Sequence, residues 1–219
     1  VVGLLFTVIG VIMGMGDHHF GTRLLTNGLI NSFFFFAIAL GALFFMALQY
    51  ATETAWYVSV KRIIEAIAGF LPYGIGLMLI ILLTLTFMNG GHVYTWMDPE
   101  MTDPASHHYD SIIAGKAAYL NKAFFWIRTV VYMAVYYIFW RGFRMRSLEE
   151  DRVGGTDIHF TNYKKGALFL VFFAVFSSTS SWDWIMSIDV HWFSTLFGWY
   201  VFSGMWVSAM VVMVLLTLY

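Results

Sequence analysis

The sequence predicts an all-α integral membrane protein, a polytopic transmembrane bundle of about six helices. Three observations carry that reading. Hydrophobic residues fill 60% of the 219 positions and charged residues only 11%, against about 25% charged in a soluble domain. The apolar residues fall in long runs, each near the roughly 20 residues that a helix needs to cross the hydrocarbon core. The charged residues gather between those runs.

The remaining composition narrows the function classes. A net charge of −1 points to no nucleic-acid partner. The chain has no cysteine, which excludes disulfides, thiolate-held iron–sulfur clusters and covalently attached haem c in this chain. Any such redox centre would belong to a partner.

The first expected helix covers residues 1–15, followed by a polar loop over 17–27. The second covers 28–50 and carries the Phe33–Phe36 run. Residues 51–68 follow, with Glu53, Tyr57, Lys61 and Glu65 every four positions, so one helix would place them on one face. Arg62 lies beside them. The third apolar run, 69–87, continues without a break. A straight helix over 56–88 would be about 50 Å long, so Pro72, flanked by Gly69 and Gly74, is expected to mark a bend.

A long loop over 89–121, holding Pro99 and Pro104, leads to the fourth helix at 122–140. Arg128 falls inside that helix and needs a carboxylate, a carbonyl or water. Residues 141–165 read as a charged loop. The fifth and sixth apolar runs, 165–176 and 195–219, flank the most polar stretch at membrane depth, SSTSSWDWIMSIDVHWFSTLFGWY (177–200). Asp183, Asp189 and His191 in that stretch are ionisable groups where such groups are costly and usually functional. Trp182, Trp184, Trp192 and Trp199 fit an interfacial aromatic belt.

Basic residues set the expected orientation. Arg141, Arg144, Arg146, Arg152, Lys164 and Lys165, with Lys61 and Arg62, mark one side as cytoplasmic. His18, His19, His92, His107, His108 and His191 then fall outside, with Asp17, Asp98, Asp103, Asp183 and Asp189. Glu53, Lys61, Arg62 and Glu65 read either as a proton relay from the cytoplasmic side or as a salt-bridged helix end. His92 and His191 are the best pair for haem b, but both sit beside loops, and no haem is expected. His107, His108 and Asp110 are adjacent, yet no metal site is expected. With no phosphate loop, nucleophile elbow or HExxH motif, no catalytic residue is nominated.

Four segments resemble a known family: NGLINSFFFFAIALGALFFMALQYATETAWYVSVKRIIEAIAGFLP (27–72), GGHVYTWMDPE (90–100), KAAYLNKAFFWIRTVVYMAVYYIFW (116–140) and SWDWIMSIDVHWFSTLFGWYVFSG (181–204). In that order they are similar to NrfD/PsrC-like membrane proteins, and among them to the ActF-like component of bacterial alternative complex III, a quinol:electron-acceptor oxidoreductase (cytochrome c among the acceptors). The resemblance implies about ten helices in a whole protein of this kind. This chain would then be a piece of a longer protein, with 1–140 as the first four-helix bundle and 164–219 as the start of a second. It implies no cofactor in this chain. Haem c and iron–sulfur clusters would lie in partner subunits, with a quinone nearby. The implied partners are a sister NrfD-like subunit, an iron–sulfur subunit, haem c subunits and, in some assemblies, a terminal oxidase. The implied location is the bacterial inner membrane.

The same resemblance assigns a scaffold role and a proton path coupled to quinol oxidation in the sister subunit. Glu53, Lys61, Arg62 and Glu65 would form its cytoplasmic half, and Asp183, Asp189 and His191 its outer half. A quinone headgroup beside His92 or Asp189 is a secondary expectation. Two alternatives compete: a purely structural membrane anchor, and a secondary transporter built on discontinuous helices near Pro72.

Overall fold

The computed structural model describes residues 2–14, 20–87 and 93–219. Among them there is no strand. The helices are α1 (Val2–Gly14), α2 (Phe20–Ala51), α3 (Lys61–Ala68), α4 (Leu71–Phe87), α5 (Ser111–Lys116), α6 (Lys122–Val153), α7 (Asp157–Trp184) and α8 (Phe197–Leu218). Among the described residues five stretches are long and apolar enough to cross a membrane: Phe20–Ala51, Lys61–Phe87, Lys122–Val153, Asp157–Ile188 and Phe197–Leu218. The protein is a multi-pass helical membrane bundle. Of the six expected helices, five are described at spanning length, and the first is described over the 13 residues of α1.

Two expected loops are helical where they are described, residues 17–19 of the first lying outside the described residues. Residues 20–27 form the first two turns of α2. Their polar side chains bond back to the helix itself: Thr26 Oγ1 donates to Thr22 O and Asn27 Nδ2 to Arg23 O. The expected charged loop over 141–165 is the far end of α6 and the beginning of α7. Only residues 154–156 turn the chain, where Gly154 and Gly155 take φ of 68° and 83°, a conformation that glycine adopts without a Cβ penalty.

The expected single face over 51–68 is broken. The chain leaves α2 at Ala51, passes Glu53 at φ 51° and makes a 3-10 turn over Trp56–Ser59 before α3 begins. The third expected helix then breaks at Gly69–Phe70. Pro72 is the second residue of α4, where its missing N–H costs no helical bond.

Helix α2 is the central element. It packs on α3, α4, α7 and α8, while α7 also packs on α6. One apolar core runs through all of them. Small residues set the close crossings. A Cβ at Gly41 would stand 2.7 Å from the Ala209 Cβ of α8, and one at Gly166 would stand 2.8 Å from Ala47 O of α2. The segment 93–121 folds over one end of α6 and α7 as a cap, with Tyr94, Trp96, Met97 and Ile113 buried.

Candidate functional site

The ionisable residues gather at the two ends of α6. At the basic end, Glu65 projects from α3 with its side chain 2% exposed. Its Oε2 accepts from Arg62 Nη1 and from Arg144 Nη1, each at 2.6 Å, and its Oε1 accepts from the Ser147 hydroxyl. Arg62 also pairs with Asp151, and Lys61 Nζ lies 2.7 Å from Glu150 Oε2. The short helix α3 is thus fastened to α6 by three carboxylates, three cations and a buried serine. Lys61, Arg62 and Glu65 come together here.

Glu53 stands apart from that network. It is half exposed, with His159 Nε2 at 3.9 Å, but it shares with Lys61 and Arg62 a polar cavity of about 490 Å³. The Tyr50 side chain forms part of the cavity wall, with Tyr57 beside it.

At the opposite end Asp183 is completely buried near the end of α7. Its Oδ2 and Oδ1 accept from Arg128 Nε and Nη2, each at 2.8 Å, a two-pronged pair. Tyr132 adds a hydroxyl at 3.1 Å. The remaining Arg128 edge donates to Tyr119 O at 3.1 Å, and its guanidinium lies over the rings of Tyr119 and Phe124, 3.9 and 4.2 Å from their centres. The need for an Arg128 partner was legible in the sequence, and the partner is Asp183. The cap locks this corner: the Tyr94 hydroxyl donates to Trp184 O at 2.7 Å, and Trp184 Nε1 donates to Thr129 Oγ1 at 3.0 Å. Trp184 is therefore a core residue and no part of an interfacial belt, because its position on α7 turns it toward Phe36 and Tyr132. Trp192 and Trp199 are exposed.

Asp189 and His191 are not joined to Asp183. Both are exposed in the loop after α7, where Asp189 Oδ1 accepts the backbone N–H groups of His191 and Trp192. His191 Nε2 lies 2.7 Å from Oδ2 of Asp110, which the spacing alone did not nominate as its partner. Asp110 caps α5 by accepting from the N–H groups of Ile112 and Ile113. The Ile113 N–H is the main cause that holds the Asp110 carboxyl below its usual range. Desolvation works against it, and the Ile112 N–H and His191 add to the lowering. Asp189 also lines an apolar cavity of about 530 Å³ with Lys116, Tyr119, Trp182 and Phe193. His18, His19 and His92 lie outside the described residues. Among the described residues no group of three histidine or carboxylate side chains is placed to hold a metal ion.

Family models provide no match to this chain, and neither do curated proteins. The site must be read from its own geometry.

Ser147 and Arg128 are 19 positions apart on α6, about 28 Å at 1.5 Å per residue. The space between the clusters is packed with rings. Phe139 and Phe143 of α6 meet Phe169 of α7, and Tyr136 meets Phe36 of α2. The Tyr136 hydroxyl is buried within this layer, with Ser180 of α7 beside it. Such a layer can separate two charged compartments. With the Tyr136 hydroxyl, it can also offer a station between them.

Proposed function

We propose that the chain is an integral-membrane subunit of a quinol-oxidising respiratory complex of the alternative complex III type, in the bacterial inner membrane. It holds no redox centre itself. Haem c and iron–sulfur clusters sit in partner subunits, and quinol is oxidised in a sister NrfD-like subunit. This chain is the scaffold, and it carries a proton path coupled to that oxidation. The resemblance of four segments to the NrfD/PsrC-like family supports the assignment to that complex.

One observation carries the proton path: two buried carboxylate clusters at opposite ends of one spanning helix. Glu65 sits at the basic end and Asp183 at the capped end. Tyr132 touches Asp183, and Tyr136 follows one turn along toward the basic end. Glu53 and its polar cavity open the basic end to solvent. Movement of helices next door would change the pairing and solvation of the carboxylates, and with them their proton affinity.

The test is the number of protons moved per electron in liposomes holding the whole complex, with Glu65→Gln, Asp183→Asn and Tyr136→Phe. A lowered ratio with electron transfer retained is expected. An unchanged ratio in all three would sink the path. A second reading, a purely structural anchor, is favoured by one specific feature. Each cluster is satisfied by its own ion pairs, and aromatic packing lies between them. That reading predicts lower assembly in the same variants, with the ratio intact wherever the complex forms.

A further inference from the structure

We infer that the seam between α6 and α7 at the basic end seats the phosphate of an anionic phospholipid, with Arg146 as the anion-binding side chain and Asn162 as the residue that orients it. This inference rests only on the membrane-spanning fold and is independent of the respiratory reading.

Arg146 differs from its neighbours. Arg62, Arg128 and Arg144 each pair with a carboxylate. Among the described residues Arg146 has none, although it is half-buried. Its Nε donates to Asn162 Oδ1 at 2.6 Å. Asn162 is fully buried, so this bond fixes the plane of the guanidinium. With Nε engaged, the end formed by Nη1 and Nη2 remains a two-pronged donor, the geometry that suits two oxygens of one phosphate.

Space for that arrangement is built into α6. A Cβ at Gly142 would stand 3.0 Å from Arg146 Nη1 and 3.4 Å from Nη2. Glycine at 142 lets the guanidinium lie back along the helix, the direction in which helical side chains lean. Its charge then sits at the level of residue 142, just past the apolar segment 124–140, where a headgroup layer begins.

The opposite wall of the seam is basic as well. Phe169 and Phe172 of α7 touch Phe139 of α6, with ring centres 5.3 and 6.0 Å apart. Lys165 precedes them by four and seven positions and follows Asn162 by three, so it stands on the same seam. Lys165 is exposed, with no carboxylate partner among the described residues. A basic seam between spanning helices at headgroup depth is the chemistry that holds anionic lipid.

The test uses purified protein, with its co-purifying partners, stripped of lipid in detergent. Thermal stability is followed while phosphatidylglycerol, phosphatidylcholine or inorganic phosphate is added. Phosphatidylglycerol is expected to raise the melting temperature in a saturable way, and the other two are not. Arg146→Gln should raise the half-saturating lipid concentration about fivefold, the effect of one basic residue at an anionic surface. Asn162→Asp should do likewise by supplying an internal counter-charge, while Arg152→Gln should change little. An equal response to phosphatidylcholine, or a phosphate response that matches the lipid's, overturns the proposal. So does an unchanged lipid response in Arg146→Gln. If that variant instead loses co-purifying partners while its lipid response stays intact, the occupant is a partner's carboxylate and the proposal fails.

Discussion

Replacing Asp183 with asparagine should be among the most damaging single changes in this chain. The side chain is 0% exposed, and both of its oxygens take guanidinium N–H bonds at 2.8 Å. Asparagine keeps the shape and removes the charge, which leaves Arg128, only 10% exposed, without a counter-ion. Breaking a buried pair from one side costs about 3–5 kcal/mol. A domain of this size loses about 2–4 °C per kcal/mol, so the melting temperature should fall by about 6–20 °C. Thermal unfolding in detergent, followed by tryptophan fluorescence, measures this directly, because Trp184 bonds Thr129 and packs on Tyr132, the α6 neighbours of the pair. The paired change Arg128→Met with Asp183→Leu removes both charges and should cost less than either single change, since no unpaired ion remains. A fall of under about 2 °C for Asp183→Asn, or a double variant whose cost equals the sum of the singles, would refute the reasoning.

Other expectations concern separate parts of the fold. Trp184→Phe removes the donor to Thr129 and should cost about 1 kcal/mol, and Thr129→Val should add nothing to it, a non-additivity read by a thermal double-mutant cycle. Gly166→Val forces a side chain against Ala47 O, where a bare Cβ is already at 2.8 Å. It should separate α2 from α7 and cost about 1–3 kcal/mol, seen as lost thermal stability with Gly166→Ala between the two. The cap should depend on acid through Asp110. Its carboxyl lies below the ordinary value of 3.8, held mainly by the Ile113 N–H. Its contribution is therefore complete above that ordinary range and fades as the pH falls through its own lower value. Hydrogen exchange at the Ile112 and Ile113 amides should accelerate there beyond the intrinsic rate, and Asp110→Asn should abolish that step.

The spanning runs were legible because hydrophobicity over about 20 residues needs no tertiary information. So was the need to neutralise Arg128. Its partner was not, and the reason is specific. Arg128 lies 25 residues before Val153, and Asp183 lies 26 after Asp157. In an antiparallel hairpin those positions are level, so the pair could be read from the sequence once the turn is placed at 154–156. Treating 141–165 as a loop erased that register. The charges of this segment made it look like a loop, whereas Arg144, Ser147, Glu150 and Asp151 are helical residues that α3 needs as partners. The four-residue spacing from Glu53 to Glu65 failed for the converse reason. Periodicity describes a face only while the helix lasts, and the chain unwinds between Ala51 and Lys61.

The positions of the ion pairs suggest what they contribute. A buried pair adds little net stability over apolar packing, but it penalises any arrangement that separates its members. Helices α6 and α7 meet through interchangeable rings, Tyr132, Phe139 and Phe143 against Phe169, Phe172 and Phe176, and a slide by one turn would still bury rings against rings. It would not keep Arg128 on Asp183, and at the other end it would pull Arg146 from Asn162. The same holds for α3, whose eight residues could slip along α6 but for Glu65 on Arg144 and Ser147. The aromatic layer thus supplies the burial, and the polar contacts at its two ends select the register. A register variant makes the distinction measurable. With Arg128 and Asp183 exchanged, the pair is kept at the same depth, and the hairpin should fold with most of its stability. With Arg128 replaced by Met and Tyr136 replaced by Arg, the cation sits about two turns off the level of Arg128, and proteolysis in the 185–196 loop should rise. Equal protection in the shifted and exchanged variants would mean that the rings alone set the register.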